Sequence, residues 1–202
     1  MSGAVAEIHL VRHGRSAIVH DGEWMSADRV GDYEDAYDAV GIAEDSHPPA
    51  RLLELASGAE VIAASDLLRA VRSAERLAPG TPPVIRPELR ELRLEPPLWL
   101  PARLPIAAWD VMSAAQWTYR LTLRVEHEFV RRADAAARWL MAETAPGRTV
   151  LAVTHGGIRR LIDQRLRDYG CQLVAGRRSF ENWSCWSYRR PIERGTPTGP
   201  TP

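Results

Sequence analysis

Residues 61–77 read VIAASDLLRAVRSAERL, and the change of period inside that stretch decides the fold. Val61 to Ala64 is a short apolar run of the kind a buried strand needs. Ser65 is placed to cap a helix from Asp66 to about Leu77, since Leu67, Val71, Ala74 and Ala78 recur at helical spacing and Pro79-Gly80 ends the run. A strand feeds straight into a helix. The unit recurs at Val150 to Val153, where His155-Gly156-Gly157 leads into a helix marked by Ile158, Leu161, Ile162 and Leu166. Ile8 to Val11 is a further strand, broken at Arg12-His13-Gly14. Weaker signals give a strand at Val84-Ile85, a long helix from about Arg120 to Glu143, and a last strand around Trp183 to Tyr188. Strands alternating with helices predict a three-layer α/β/α sandwich around a mostly parallel sheet with both faces covered.

Two stretches leave this rhythm. Residues 15–50 are polar with scattered Trp24, Tyr33 and Tyr37; residues 92–119 hold four prolines and Trp99, Trp109 and Trp117. Insertions of that length are usually lids or disordered, and the tryptophans favour an ordered lid over about 92–119. The three indoles are spaced too loosely for one helix face. Lid packing is their default role, and a lining for an apolar or aromatic leaving group is the alternative. The expected organisation is one domain over 1–193 with a disordered Gly/Thr/Pro tail over 194–202.

The 202 residues carry 26 Lys+Arg against 26 Asp+Glu, so no global field draws the chain to nucleic acid or an anionic membrane, and any anion site must be local. Cys171 and Cys185 form neither a disulfide framework nor a metal-ligand pattern. The first residues lack a basic region followed by an apolar run, and no apolar stretch approaches ~18 residues, so a cytoplasmic protein is expected. The oligomeric state stays open, with a homodimer as one option.

Three strand ends carry groups suited to an anion: Arg12 and His13 after the first, Arg69 one helical turn past the second, and His155 with Gly156 after the third. Ligands of open α/β sheets bind outside the carboxyl ends of the strands, so separate segments deliver these groups to one edge. Arginine matches phosphoryl oxygens with paired donors, and the helix starts after Ser65 and His155 are expected to add aligned backbone N–H groups. Taken singly, Arg12 reads as a surface residue and His155 as a core histidine; their convergence is the signal.

Arg12-His13-Gly14, then Ser65-Asp66-Leu67-Leu68-Arg69-Ala70, then Thr154-His155-Gly156-Gly157, in that order and each at a strand end, resembles the histidine phosphatase superfamily, the phosphoglycerate mutase-like family. The resemblance covers about residues 6–95 and 148–160. It implies a phosphohistidine on His13, with Arg12, Arg69 and His155 on the phosphoryl oxygens and no metal or other cofactor. The substrate is expected to be a small phosphomonoester. Where the family commonly has Glu-Thr after the first motif this chain has Arg15-Ser16; both are taken as substrate-binding residues, Arg15 adding charge at the pocket rim.

The family's acid falls in Leu89-Arg90-Glu91-Leu92-Arg93-Leu94-Glu95. Glu91 matches it, Glu95 stands where glycine is common, and the usual Trp-Glu-Gly is replaced by Pro96-Pro97. Glu91 is preferred as the general acid, with Glu95 as the alternative. A metal-independent phosphatase is the leading reading. A phosphoglycerate mutase-type transferase and an idle phosphate-binding module are the others.

Overall fold

In the computed structural model, residues 6–18, 22–123, 127–144, 147–176, 179 and 181–190 are described. The strands are β1 (Glu7–Arg12), β2 (Trp24–Ser26), β3 (Val61–Ala64), β4 (Val84–Ile85), β5 (Arg103–Pro105), β6 (Val150–Thr154), β7 (Gln172–Ala175) and β8 (Cys185–Arg189). The α-helices are α1 (Val30–Asp38), α2 (Ala50–Ser57), α3 (Leu68–Leu77), α4 (Ile106–Thr122), α5 (Glu128–Thr144) and α6 (Gly156–Asp168).

The main sheet runs β4-β3-β6-β1-β8-β7, with β4, β3, β6 and β1 parallel and β8 antiparallel to both its neighbours. The central strands are apolar on both faces because both are covered. Alternate residues of β1 serve the two layers: Ile8 and Leu10 join a core with Leu140 of α5 and Ile162 of α6, whereas Val11 joins Leu52 of α2 and Ala74 of α3. The α/β/α sandwich read from the sequence is the fold observed.

Register positions the site. Parallel pairing sets Arg12 beside Thr154 and Ala64 beside Val153. The residues that follow those strands therefore emerge side by side. His13 N–H donates to the Thr154 carbonyl at 3.0 Å, and Ser65 N–H to the Val153 carbonyl at 3.1 Å.

Several boundaries differ from the sequence reading. The single helix expected over 120–143 is two helices, with α4 ending at Thr122 and α5 starting at Glu128. α3 starts at Leu68 with Leu67 extended as its N-cap, two residues later than the Ser65 cap expected. β7 was not anticipated, and the last strand begins at Cys185 because Trp183 turns the chain with φ 61°. The tail expected over 194–202 lies outside the described residues.

The two irregular stretches pair with each other. β2 and β5 form a two-stranded antiparallel sheet, and a third apolar cluster of Met25, Val30, Ile106 and Trp109 lies under it. The expected lid thus has its own core, and it continues into α4 beyond residue 119. The three indoles part company: Trp109 is fully buried and donates its Nε1–H to the Met25 carbonyl at 3.0 Å, Trp117 lines the main cavity, and Trp99 is 81% exposed. No described helix is long and apolar enough to cross a membrane.

Candidate active site

A cavity of about 630 Å³ opens at the carboxyl ends of β1, β3 and β6. Arg12, His13, Arg69, Glu91 and Gly156 all line it. His155 lies immediately behind, fully buried, its ring centroid 4.9 Å from that of His13. Four remote segments therefore meet as expected.

His13 is held in a defined tautomer. Its Nδ1 lies 2.7 Å from the Gly14 carbonyl, which can only accept, so the proton sits on Nδ1 and the Nε2 lone pair is left bare. Nε2 makes no hydrogen bond among the described residues. Burial, then the positive charges of Arg69 and Arg12, lowers the pKa to about 3, so the imidazole is neutral at any ordinary pH. Burial and the same charged surroundings push His155 well below its ordinary value.

Arg69, on α3, is 2% exposed and is held by the end of α1: its Nη1 donates to Asp38 Oδ1 at 2.9 Å and the Tyr37 carbonyl at 3.1 Å, and its guanidinium lies 4.4 Å over the Tyr37 ring. A buried charge needs such a partner. Nη2 is left without a hydrogen bond among the described residues.

Ser65 serves His155 rather than capping its helix, with Oγ 2.6 Å from Nε2 and accepting Leu67 N–H at 3.3 Å. The Nδ1 of His155 is buried without a partner.

The start of α6 is also used differently from the expectation that it would hold the anion. Glu91 takes its backbone donors: Ile158 N–H donates to Oε1 at 2.9 Å and Gly157 N–H to Oε2 at 3.1 Å, while Leu92 N–H donates to Oε1 at 2.9 Å. A carboxylate at a helix N-terminus meets unpaired N–H groups and the positive end of the dipole. Arg132 of α5 holds the Glu91 segment by donating to the Arg90 and Glu91 carbonyls at 3.1 and 3.0 Å. Glu95, the alternative acid, is off the cavity and paired with Arg120.

Arg15 and Ser16 are not brought to the site. Arg15 is exposed and pairs with Asp45; Ser16 is buried, bridging to Ile42, and neither lines the cavity. The chain turns away from the rim directly after Gly14, whose N–H donates to Ser73 Oγ at 2.9 Å.

Four contributors escaped the sequence reading. Tyr37 and Asp38 lay in a polar stretch without usable periodicity, and Asp110 sits one residue past a tryptophan assigned to packing. Arg159 follows His155 by one helical turn, the one signal available; it is fully buried, lies 4.1 Å over the Trp186 ring, and donates to the Ser184 and Ser179 carbonyls at 2.7 Å each. Among the described residues no cluster of three His, Cys, Asp or Glu is arranged to hold a metal.

The family model for the histidine phosphatase superfamily (branch 1) matches residues 8–185. The chain belongs to this superfamily. Solved structures share the fold of this histidine phosphatase superfamily member at low identity. A phosphoserine phosphatase variant from Entamoeba histolytica, in complex with phosphoserine, is 13% identical, covering 90% of this chain and 89% of that one with a TM-score of 0.53. A mycobacterial glucosyl-3-phosphoglycerate phosphatase is 20% identical over 91% and 89%, with a TM-score of 0.52. A protein described as mycobacterial hydrolase 1 is 19% identical over 95% and 92%, with a TM-score of 0.53. No curated protein sequence matches.

Proposed function

We propose that this protein hydrolyses small phosphomonoesters through a phosphohistidine on His13, without a metal. The observation that carries the reading is the His13 tautomer: a proton tied to the Gly14 carbonyl through Nδ1 leaves Nε2 as a neutral nucleophile on the cavity wall. In the first half-reaction Nε2 bonds to phosphorus as the ester P–O bond breaks, and the leaving oxygen is protonated. In the second, water attacks phosphorus, the P–N bond breaks, and phosphate is released.

Arg12 and Arg69 balance charge on the phosphoryl oxygens throughout. By the family resemblance His155, whose Nε2 lies 2.6 Å from Ser65 Oγ and whose ring lies behind that of His13, contacts the same group. Glu91 is the carboxylate at the position that the family resemblance gives to acid–base work, and its place on the cavity supports an enzyme over an idle phosphate-binding module. A cavity of about 630 Å³ leaves room for the alcohol portion of a small ester beyond the phosphoryl group.

The test is turnover of an aryl phosphate by the purified protein, with and without EDTA, in wild type and His13→Ala. Metal-independent turnover with acid-labile phosphate on the wild-type enzyme is expected, and none in the variant. Full activity in His13→Ala overturns the reading, and phosphate binding without turnover returns the idle module.

A further inference from the structure

The backbone of Arg12 and His13 is tied at every polar group. Arg12 N–H donates to the Ser184 carbonyl at 2.9 Å and His13 N–H to the Thr154 carbonyl at 3.0 Å. The Arg12 carbonyl accepts Trp183 N–H at 3.1 Å, and the His13 carbonyl accepts Asn182 Nδ2–H at 3.0 Å. Three of these four bonds come from one turn, Asn182-Trp183-Ser184. A backbone whose donors and acceptors are all committed in this way shifts only if its partners shift, so the turn sets where the imidazole stands.

The turn is itself constrained. Among the described residues Trp183 is the one non-glycine with positive φ, at 61°, a costly conformation for a bulky side chain that persists only where the surroundings impose it. Its indole is pressed against Gly14, where a Cβ would stand 2.5 Å from the ring, and its Nε1–H donates to Ser46 Oγ at 3.0 Å. Arg159 of α6 holds the other side. Its Nη1 donates at 2.7 Å to the Ser184 carbonyl, the oxygen that also accepts Arg12 N–H, while Nη2 donates to the Ser179 carbonyl at 2.7 Å and Ser184 Oγ at 2.9 Å. Fully buried, Arg159 makes no ion pair among the described residues. Burying a cation without a carboxylate is expensive, and here the whole fork is committed to one short segment.

We propose that Arg159 is a positioning residue for phosphoryl transfer: by clamping the Asn182-Trp183-Ser184 turn it aims the imidazole of His13 at phosphorus. The assignment rests on the phosphohistidine reading above. Arg159 does not line the cavity, so it acts through the turn rather than on substrate. The Ser184 carbonyl links it to Arg12, and Asn182 is the contact that reaches His13. Formation of the P–N bond and its later cleavage by water both need Nε2, phosphorus and the opposite oxygen in line, so a displaced ring slows both steps. Arg69 is anchored separately, by Asp38 and Tyr37, and its hold on the phosphoryl oxygens does not depend on the turn.

The experiment compares wild type, Asn182→Ala, Arg159→Met and Arg159→Lys on p-nitrophenyl phosphate, with inorganic phosphate as competitive inhibitor and thermal melts to give the folded fraction. Misplacing a reacting group by about 1 Å costs on the order of 10²-fold, so kcat per folded molecule is expected to fall by roughly that factor in Asn182→Ala. KM and the phosphate inhibition constant should stay within about threefold, the pattern of a group needed only in the transition state. Arg159→Met should lose at least as much, and Arg159→Lys should not restore it, because one ammonium cannot span the Ser179 and Ser184 carbonyls. Amide exchange at Arg12, whose N–H meets the Ser184 carbonyl, should quicken in Arg159→Met relative to that at Leu10. If Arg159→Met does not fold, Asn182→Ala decides. Wild-type kcat per folded molecule in Asn182→Ala, a loss carried by KM and phosphate inhibition instead, or full activity in Arg159→Lys overturns the assignment while leaving the phosphohistidine reading intact. Absence of phosphohistidine in the wild type overturns both.

Discussion

The Glu91 carboxylate occupies the space that a side chain at residue 157 would need: a Cβ built on Gly157 would stand 2.8 Å from Glu91 Oε1 and 3.3 Å from the Trp117 ring. The glycine lets the carboxylate reach the first free N–H groups of α6. Its φ is helical, so close approach rather than backbone freedom is what glycine supplies here.

Gly157→Ala should therefore displace Glu91 without unfolding the protein. Misplacement of a reacting group by about 1 Å costs on the order of 10²-fold, so kcat for an aryl phosphate should fall by roughly that factor. Stability should fall by about 1 kcal/mol as the α6 start loses part of its cap. Steady-state kinetics and thermal melts on the same preparation check both, and wild-type kcat would show that Glu91 is free to shift.

The lowered pKa of His13 has a stability consequence of defined sign. The unfolded chain binds a proton near 6.5, but folded His13 does not until about 3, so stability present above 6.5 is lost as pH falls toward 3. Raised Glu34 and Asp110, at about 7 and about 6, act oppositely, their contribution being present at low pH and lost as pH rises. Wild-type melts sum these effects. The difference between His13→Gln and wild type isolates one histidine, and it should move in favour of the variant by about 1.4 kcal/mol per pH unit between about pH 6 and 4. Urea midpoints at stepped pH measure it, and a constant difference would contradict the neutral buried imidazole.

Arg69→Lys should not be conservative. One end of the guanidinium is committed to Asp38 and the Tyr37 carbonyl while Nη2 makes no hydrogen bond among the described residues; if the proposed function holds, an ammonium cannot keep the Asp38 pair and reach a phosphoryl oxygen as well. A loss of roughly 10²-fold in kcat/KM is expected, with weaker inhibition by inorganic phosphate. Retention of phosphate inhibition would place the anion elsewhere.

Trp109→Ala removes the centre of the lid core. Truncating a buried Trp costs about 3–5 kcal/mol, here directed at the cluster of Met25, Val30 and Ile106. The expected readout is faster hydrogen exchange in β2, β5 and α4 than in β1 and β6, together with a raised KM. Uniform destabilisation of the whole chain would show that the lid is not a separate cooperative unit.

Arg15→Ala tests the negative result. Its ion pair with Asp45 is exposed, and such pairs contribute little, so kcat/KM should stay within about twofold of wild type. A large loss would return Arg15 to the rim.

The strand ends at Val11, Ala64 and Val153 were legible because a parallel strand buried on both faces must be continuously apolar, and the break to Arg12-His13-Gly14 or His155-Gly156-Gly157 is abrupt. The helix over 120–143 was misread because periodicity does not reveal a break between two amphipathic segments. Glu91 was preferred over Glu95 from the motif position alone, but that Glu91 reaches the start of α6 while Glu95 pairs with Arg120 was visible only in three dimensions.

The sequence by itself determined the alternating architecture and the Arg12-His13-Gly14 break at a strand end, because hydrophobic period and short chain turns are local properties. Tertiary structure alone decided that Asp38 carries Arg69, that Ser65 serves His155, and that the two irregular stretches fold onto each other through β2 and β5. Those are contacts between segments far apart in the chain, whose partners are chosen by strand register and packing rather than by any neighbour in sequence.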